Sequence, residues 1–73
     1  MNALPQALVF YGGLLYGEMS QREVRSLAWD NLEIYNGAYV YNTHEREWYR
    51  CDGVPVLLED VPPALRMQVL VMT

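Results

Sequence analysis

Cys51 is the only cysteine in this 73-residue chain, and His44 the only histidine, so neither a disulfide nor a structural metal site can be assembled. A domain of this length buries roughly 60% of its unfolded surface, a thin margin for an unassisted core. Dense aromatic packing and self-association are the remaining routes to stability. The composition suits both: 52% of the residues are apolar and nine are aromatic, which argues against disorder. The expectation is a single domain over 1–73, with some apolar surface ending at an interface. A homo-oligomer is one form that interface takes.

Local signals divide the chain. Two apolar runs, 7–11 and 14–16, flank Gly12-Gly13 and read as a tight β-hairpin. A helix starting after Pro5 competes with that reading, but two adjacent glycines inside it would cost about 2 kcal/mol. Ser20-Gln21-Arg22-Glu23 has the form of a capping box, with Met19 and Val24 placed as a hydrophobic staple. The helix it starts should run to about Asn31, with Val24, Leu27, Ala28 and Leu32 inward and Arg22, Arg25 and Ser26 outward.

From Leu32 onward the pattern resembles strand alternation. Asn36-Gly37 and Asp52-Gly53 are turn dipeptides, and 42–46 is a polar loop. Between them 38–41, 47–51 and 54–58 read as an antiparallel meander, with Tyr39 and Tyr41 on one face and Trp48 and Arg50 sharing another. Pro55 donates no ladder hydrogen bond, which places the last strand at an edge or turns Pro55 outward. Residues 59–66 suggest a short helical turn capped by Asp60. Residues 68–72 fit a strand or a continued helix equally. The fold class is therefore α+β: a small antiparallel sheet of four to five short strands with one amphipathic helix on one face. Val24, Leu27, Ala28, Val40, Val56, Leu58, Leu65 and Leu70 are the expected core.

The formal charge is −4, with five arginines and no lysine. Such a chain is repelled by duplex phosphate and attracted to basic surfaces, so the expected partner is a protein with a basic face. No run approaches the roughly 18 apolar residues that span a membrane. The first sixteen residues lack the positive start of a signal peptide, and a lone free thiol agrees with a reducing, cytoplasmic setting.

No catalytic constellation emerges. His44-Glu45-Arg46-Glu47 places a histidine among carboxylates, but neighbours in sequence are not a base in a pocket, and in a loop they read as solvated turn charges. Cys51 has no activating base beside it and reads as a buried structural thiol. Gly12, Gly13 and Gly17 lack the spacing of a phosphate loop and read as turn glycines. The expectation is a binding protein rather than an enzyme, with no cofactor.

The stretch 29–49 carries the remaining signal. It holds six of the nine aromatic residues (Trp29, Tyr35, Tyr39, Tyr41, Trp48 and Tyr49), interleaved with four of the nine acidic ones. Six rings exceed what so small a core encloses, so one or two should face outward. Trp, Tyr and Arg dominate binding hot spots. Arg46, Trp48, Tyr49 and Arg50, bordered by Glu45 and Glu47, form the expected partner-binding patch, with Trp48 exposed. The functional expectation is a small acidic module that occupies a partner's surface. From size and composition, that includes a phage or mobile-element inhibitor of a host enzyme or nucleic-acid-handling defence complex. A homo-oligomeric assembly protein and a single-stranded nucleic-acid binder that stacks bases on the rings are the alternatives.

Overall fold

The computed structural model describes residues 6–72; residues 1–5, the first part of the segment weighed as a leader, lie outside the described residues. Strands β1 (Ala7–Tyr11) and β2 (Leu14–Met19) form the expected hairpin. Gly12 and Gly13 turn it with φ of 62° and 83°, the positive values a two-residue hairpin loop requires. The ladder contains a bulge: Val9 faces Gly17 while Phe10 faces Leu15, which leaves Tyr16 as the extra residue. Gly17 is therefore a strand residue beside a bulge, not a turn glycine.

Helix α1 (Gln21–Asp30) starts as its sequence dictates. The Ser20 hydroxyl accepts from the Glu23 N–H at 3.2 Å, and the Glu23 carboxylate accepts from the Ser20 N–H at 3.0 Å. Val24 and Leu27 point into the core. Beyond it, the expected strand at Leu32 is corrected to a second helix, α2 (Leu32–Gly37). Asn31 explains the difference by serving both helices. Its N–H donates to the Leu27 carbonyl at 2.8 Å, closing α1, and its side-chain oxygen accepts from the Ile34 N–H at 3.3 Å, opening α2. Asn36-Gly37 thus ends a helix rather than turning a hairpin. A Cβ on Gly37 would come within 3.0 Å of the Tyr11 ring, which packs on this last turn.

Strand β3 (Tyr39–Asn42) returns beside β1, and β4 (Glu47–Tyr49) pairs with β3, so the antiparallel sheet has the order β2-β1-β3-β4. The third strand expected at 54–58 contracts to one bridge between Tyr49 and Pro55 at the sheet's edge, because proline cannot extend the ladder. A 3₁₀ turn (Leu58–Asp60) and helix α3 (Pro63–Met72) follow. Residues 68–72 thus continue a helix, and Asp60 lies inside the 3₁₀ turn instead of capping α3.

The α+β class holds, with helices on both faces of the sheet. Ala7, Val9 and Val40 pack under Val24, Leu27 and Ile34 on one side. Leu8, Phe10 and Trp48 pack under Val61, Leu65 and Val69 on the other. The central strand β1 is consequently buried on both faces. Of the expected core, Val24, Leu27, Val40 and Leu65 are buried, while Ala28 and Val56 are half-buried. Leu58 and Leu70 are corrected to exposed, at 58% and 70%. Leu70 is one residue past the buried Val69, about 100° further round the helix. Leu58 sits in the 3₁₀ turn, whose inward position falls to Val61. Among the described residues, no helix is long and apolar enough to cross a membrane.

Candidate protein-interaction surface

The β3–β4 hairpin sorts the expected patch residues onto different faces. Its loop is closed by Asn42, whose side chain accepts from the His44 and Glu45 N–H groups, both at 2.9 Å. The turn ends on Arg46 at φ 60°, a left-handed conformation uncommon for any residue but glycine. Tyr41 pairs with Trp48 across the ladder, so Tyr39, Tyr41 and Trp48 share the α3 side. Tyr49 and Glu47 alternate to the α1–α2 side.

Trp48 is not exposed: only 5% of it reaches solvent. Its ring lies 5.6 Å from that of Phe10 and 5.0 Å from that of Tyr41, both tilted pairs. Arg50 stacks its guanidinium 4.5 Å from the Tyr39 ring centre, and its Nη1 lies 3.5 Å from the Ala38 carbonyl. Tyr49 donates its hydroxyl to Glu45 at 2.6 Å, and Tyr11 donates likewise to Glu33. Those bonds, with burial and the carboxylate charges adding to them, push both phenols above their ordinary pKa.

Two depressions result. A cleft of about 560 Å³ opens on the α1–α2 side, lined in part by Arg25, Tyr35, Glu45, Arg50, Cys51 and Asp52. Burial first, then the Asp52 charge, pushes the Cys51 thiol up against the opposing pull of Arg50. It stays protonated at neutral pH and acts as packing. Glu33, Glu45, Glu47 and Asp52 all lie on this α1–α2 side. Trp29, at the end of α1, stands 90% exposed on the same side, beside Leu32 at 57%.

The second depression, about 330 Å³, lies on the α3 side. Tyr41, Trp48 and Val69 form its floor, Leu58 and Leu70 its walls, and Arg46 and Arg66 its charged rim. No carboxylate lines it. The Arg66 Nε is buried without a hydrogen-bond partner.

Next to this groove the outer side of α3 is apolar. Leu65 and Val69 face the sheet, while Met67, Leu70 and Val71 point away from it at 61%, 70% and 84% exposure. Leu57 and Leu58 extend the patch and border a shallow depression shared with Arg66. Of the expected patch, Arg46 and Trp48 line one groove, with Trp48 buried instead of exposed, while Arg66, the α3 face and Trp29 lie outside the expected patch. The missed signals were present. Residues 67–72 hold a single polar side chain, and Trp29 lies about 150° round α1 from the middle of the Val24–Leu27–Ala28 face.

No protein-family model, curated protein or solved structure matches this chain, so the functional reading rests on fold, burial and charge.

Proposed function

We propose that this protein is a small acidic protein-binding module that acts by occupying a partner's surface, with the outward side of α3 as its docking face. The observation that carries the reading is that α3 is apolar on its outward side, at Met67, Leu70 and Val71, as well as on the side where Leu65 and Val69 meet the sheet. Such helices are ordinarily covered on all sides. Covering the exposed parts of Leu57, Leu58, Met67, Leu70 and Val71 contributes roughly 5–10 kcal/mol. Association itself costs about 4–15 kcal/mol. The two are of similar size, so this face can carry a contact, and tight binding needs polar contacts at its rim as well.

The net charge of −4 supports a partner with a basic surface, because opposite potentials speed encounter. An inhibitor of a host enzyme or of a nucleic-acid-handling defence complex, carried by a phage or mobile element, is one form of this reading. Single-stranded nucleic acid is less favoured. Trp48 offers no free ring face, and the exposed Trp29 is followed in sequence by Asp30 and Glu33 with no basic residue between Arg25 and Arg46 except His44.

The test is affinity capture from candidate host lysates at several salt concentrations, comparing the wild type with a Met67→Asp/Val71→Asp variant. Both positions are exposed, so the variant should keep its fold. One stoichiometric partner held by the wild type and lost by the variant is expected. Recovery of none sinks the proposal. A homo-oligomeric structural role remains the competing reading, since a second copy can also cover apolar surface; a monomer of 8.5 kDa by light scattering excludes it.

A further inference from the structure

We propose that this chain also docks onto copies of itself head to tail, with the Trp29 corner of one molecule seated in the Arg46–Arg66 groove of the next. This goes beyond the partner-binding reading, since it requires no other protein and turns on Trp29, Arg46 and Arg66, although Leu58 and Leu70 border both surfaces.

The two surfaces are opposite in shape and charge. Trp29 projects from the last turn of α1 with 90% of its surface in solvent. Asp30 follows it directly in sequence, and Leu32 and Glu33 begin the next helix, with the Glu33 carboxylate accepting from the Tyr11 hydroxyl, so Asp30 is the acidic residue nearest the ring in sequence. The groove has an aromatic and aliphatic floor with two guanidinium groups at its rim and no acidic lining. At about 330 Å³ it falls at the small end of ligand-sized clefts, roughly 300–1,000 Å³, which suits a single indole.

The groove's lining holds two arginines and no carboxylate, so an acidic residue entering beside the indole would supply their counter-charge. Arg46 is held at the rim by a strained left-handed backbone, a feature that clusters at binding sites. Trp29 cannot fill its own groove, because α1 packs on one face of the sheet and the groove opens on the other. The contact must therefore join different molecules through two different surfaces. Such heterologous contacts either close into rings or continue as open chains.

The experiment uses Trp29→Ala, which lacks the projection, and Arg46→Glu/Arg66→Glu, which lacks the groove's charge, with Arg46→Glu alone as a milder form because Arg46 is exposed. Light scattering across rising protein concentration at low salt should show the wild-type mass increasing without a fixed dimer plateau, and decreasing again as salt is added. Each variant alone should stay at the single-chain mass of 8.5 kDa. An equimolar mixture of the two should stop at twice that mass, since only one productive contact is left, and Trp29 emission should shift to the blue on mixing. A wild type that stays monomeric at every concentration overturns the proposal. So does association that Trp29→Ala leaves unchanged, which would place the contact on another surface such as α3 against α3. Because Met67 and Val71 are not altered, failure here leaves the partner-capture test standing.

Discussion

Replacing each tryptophan in turn separates the two sides of this molecule. Trp48 is 5% exposed and packs against Phe10 and Tyr41, so Trp48→Ala removes a ring from the centre of the α3-side core. Truncations of this kind cost about 3–5 kcal/mol. At roughly 0.05–0.15 kcal/mol per residue, a chain of 73 residues has about 4–11 kcal/mol in total, so the variant loses between a quarter and all of its stability. Trp29, at 90% exposure, should change stability by no more than about 0.5 kcal/mol when replaced by Ala. Urea unfolding followed by far-ultraviolet circular dichroism measures both, with the wild-type slope as a check that the unfolded states are comparable. Fluorescence gives a second readout. With Trp48→Phe, the remaining Trp29 should emit at solvent-exposed wavelengths in the native state. With Trp29→Phe, the emission should move to the red only on unfolding. If Trp29→Ala were as damaging as Trp48→Ala, or if Trp48→Ala lost less than about 1 kcal/mol, the assignment of rings to faces would be wrong.

Four smaller tests address the local chemistry. Ser20→Ala should remove about 1 kcal/mol by deleting the cap of α1. The Ser20 backbone N–H, then its hydroxyl, hold the Glu23 carboxyl below its ordinary pKa; the resulting stability is complete above about pH 4.5 and drains as pH falls through the lower folded value. Glu23→Gln should flatten that acid limb in pH-dependent melts. Tyr11 and Tyr49 are raised, so their contribution is complete below the ordinary phenol value near 10 and is lost as pH rises through the folded values. The double variant Tyr11→Phe/Tyr49→Phe should show a shallower alkaline decline. Cys51 should react with an alkylating reagent only through opened states, so full unfolding should speed labelling about a thousandfold or more. Prompt labelling of the native protein would contradict its burial.

What the sequence discloses here follows the range of the forces involved. The capping box at Ser20 and Glu23 and the hairpin at Gly12-Gly13 are set by residues within three or four positions, and both are legible. Leu32 and Ile34 fit a strand and a helical turn equally over six residues. The choice lies in Asn31, which caps one helix end while closing another, and a dual role of that kind has no pattern of its own. Burial is the least local property. Trp48 and Trp29 are chemically identical, and only the pairing of β3 with β1 decides that Trp48 meets Phe10. The expected patch divides because strand alternation sends Trp48 into the α3-side core and Tyr49 to the other face, which no local pattern around them announces. Arg66, which completes the groove, comes from the last helix, and nothing near Arg46 in sequence points to it.

The central strand has a consequence for folding. β1 is buried on both faces, and its second face is closed by Val61, Leu65 and Val69, which lie outside the sheet. A sheet that forms before these residues dock presents Leu8, Phe10 and Trp48 with nothing to cover them. Local opening of α3 should therefore expose an adhesive layer rather than leave a smaller finished domain.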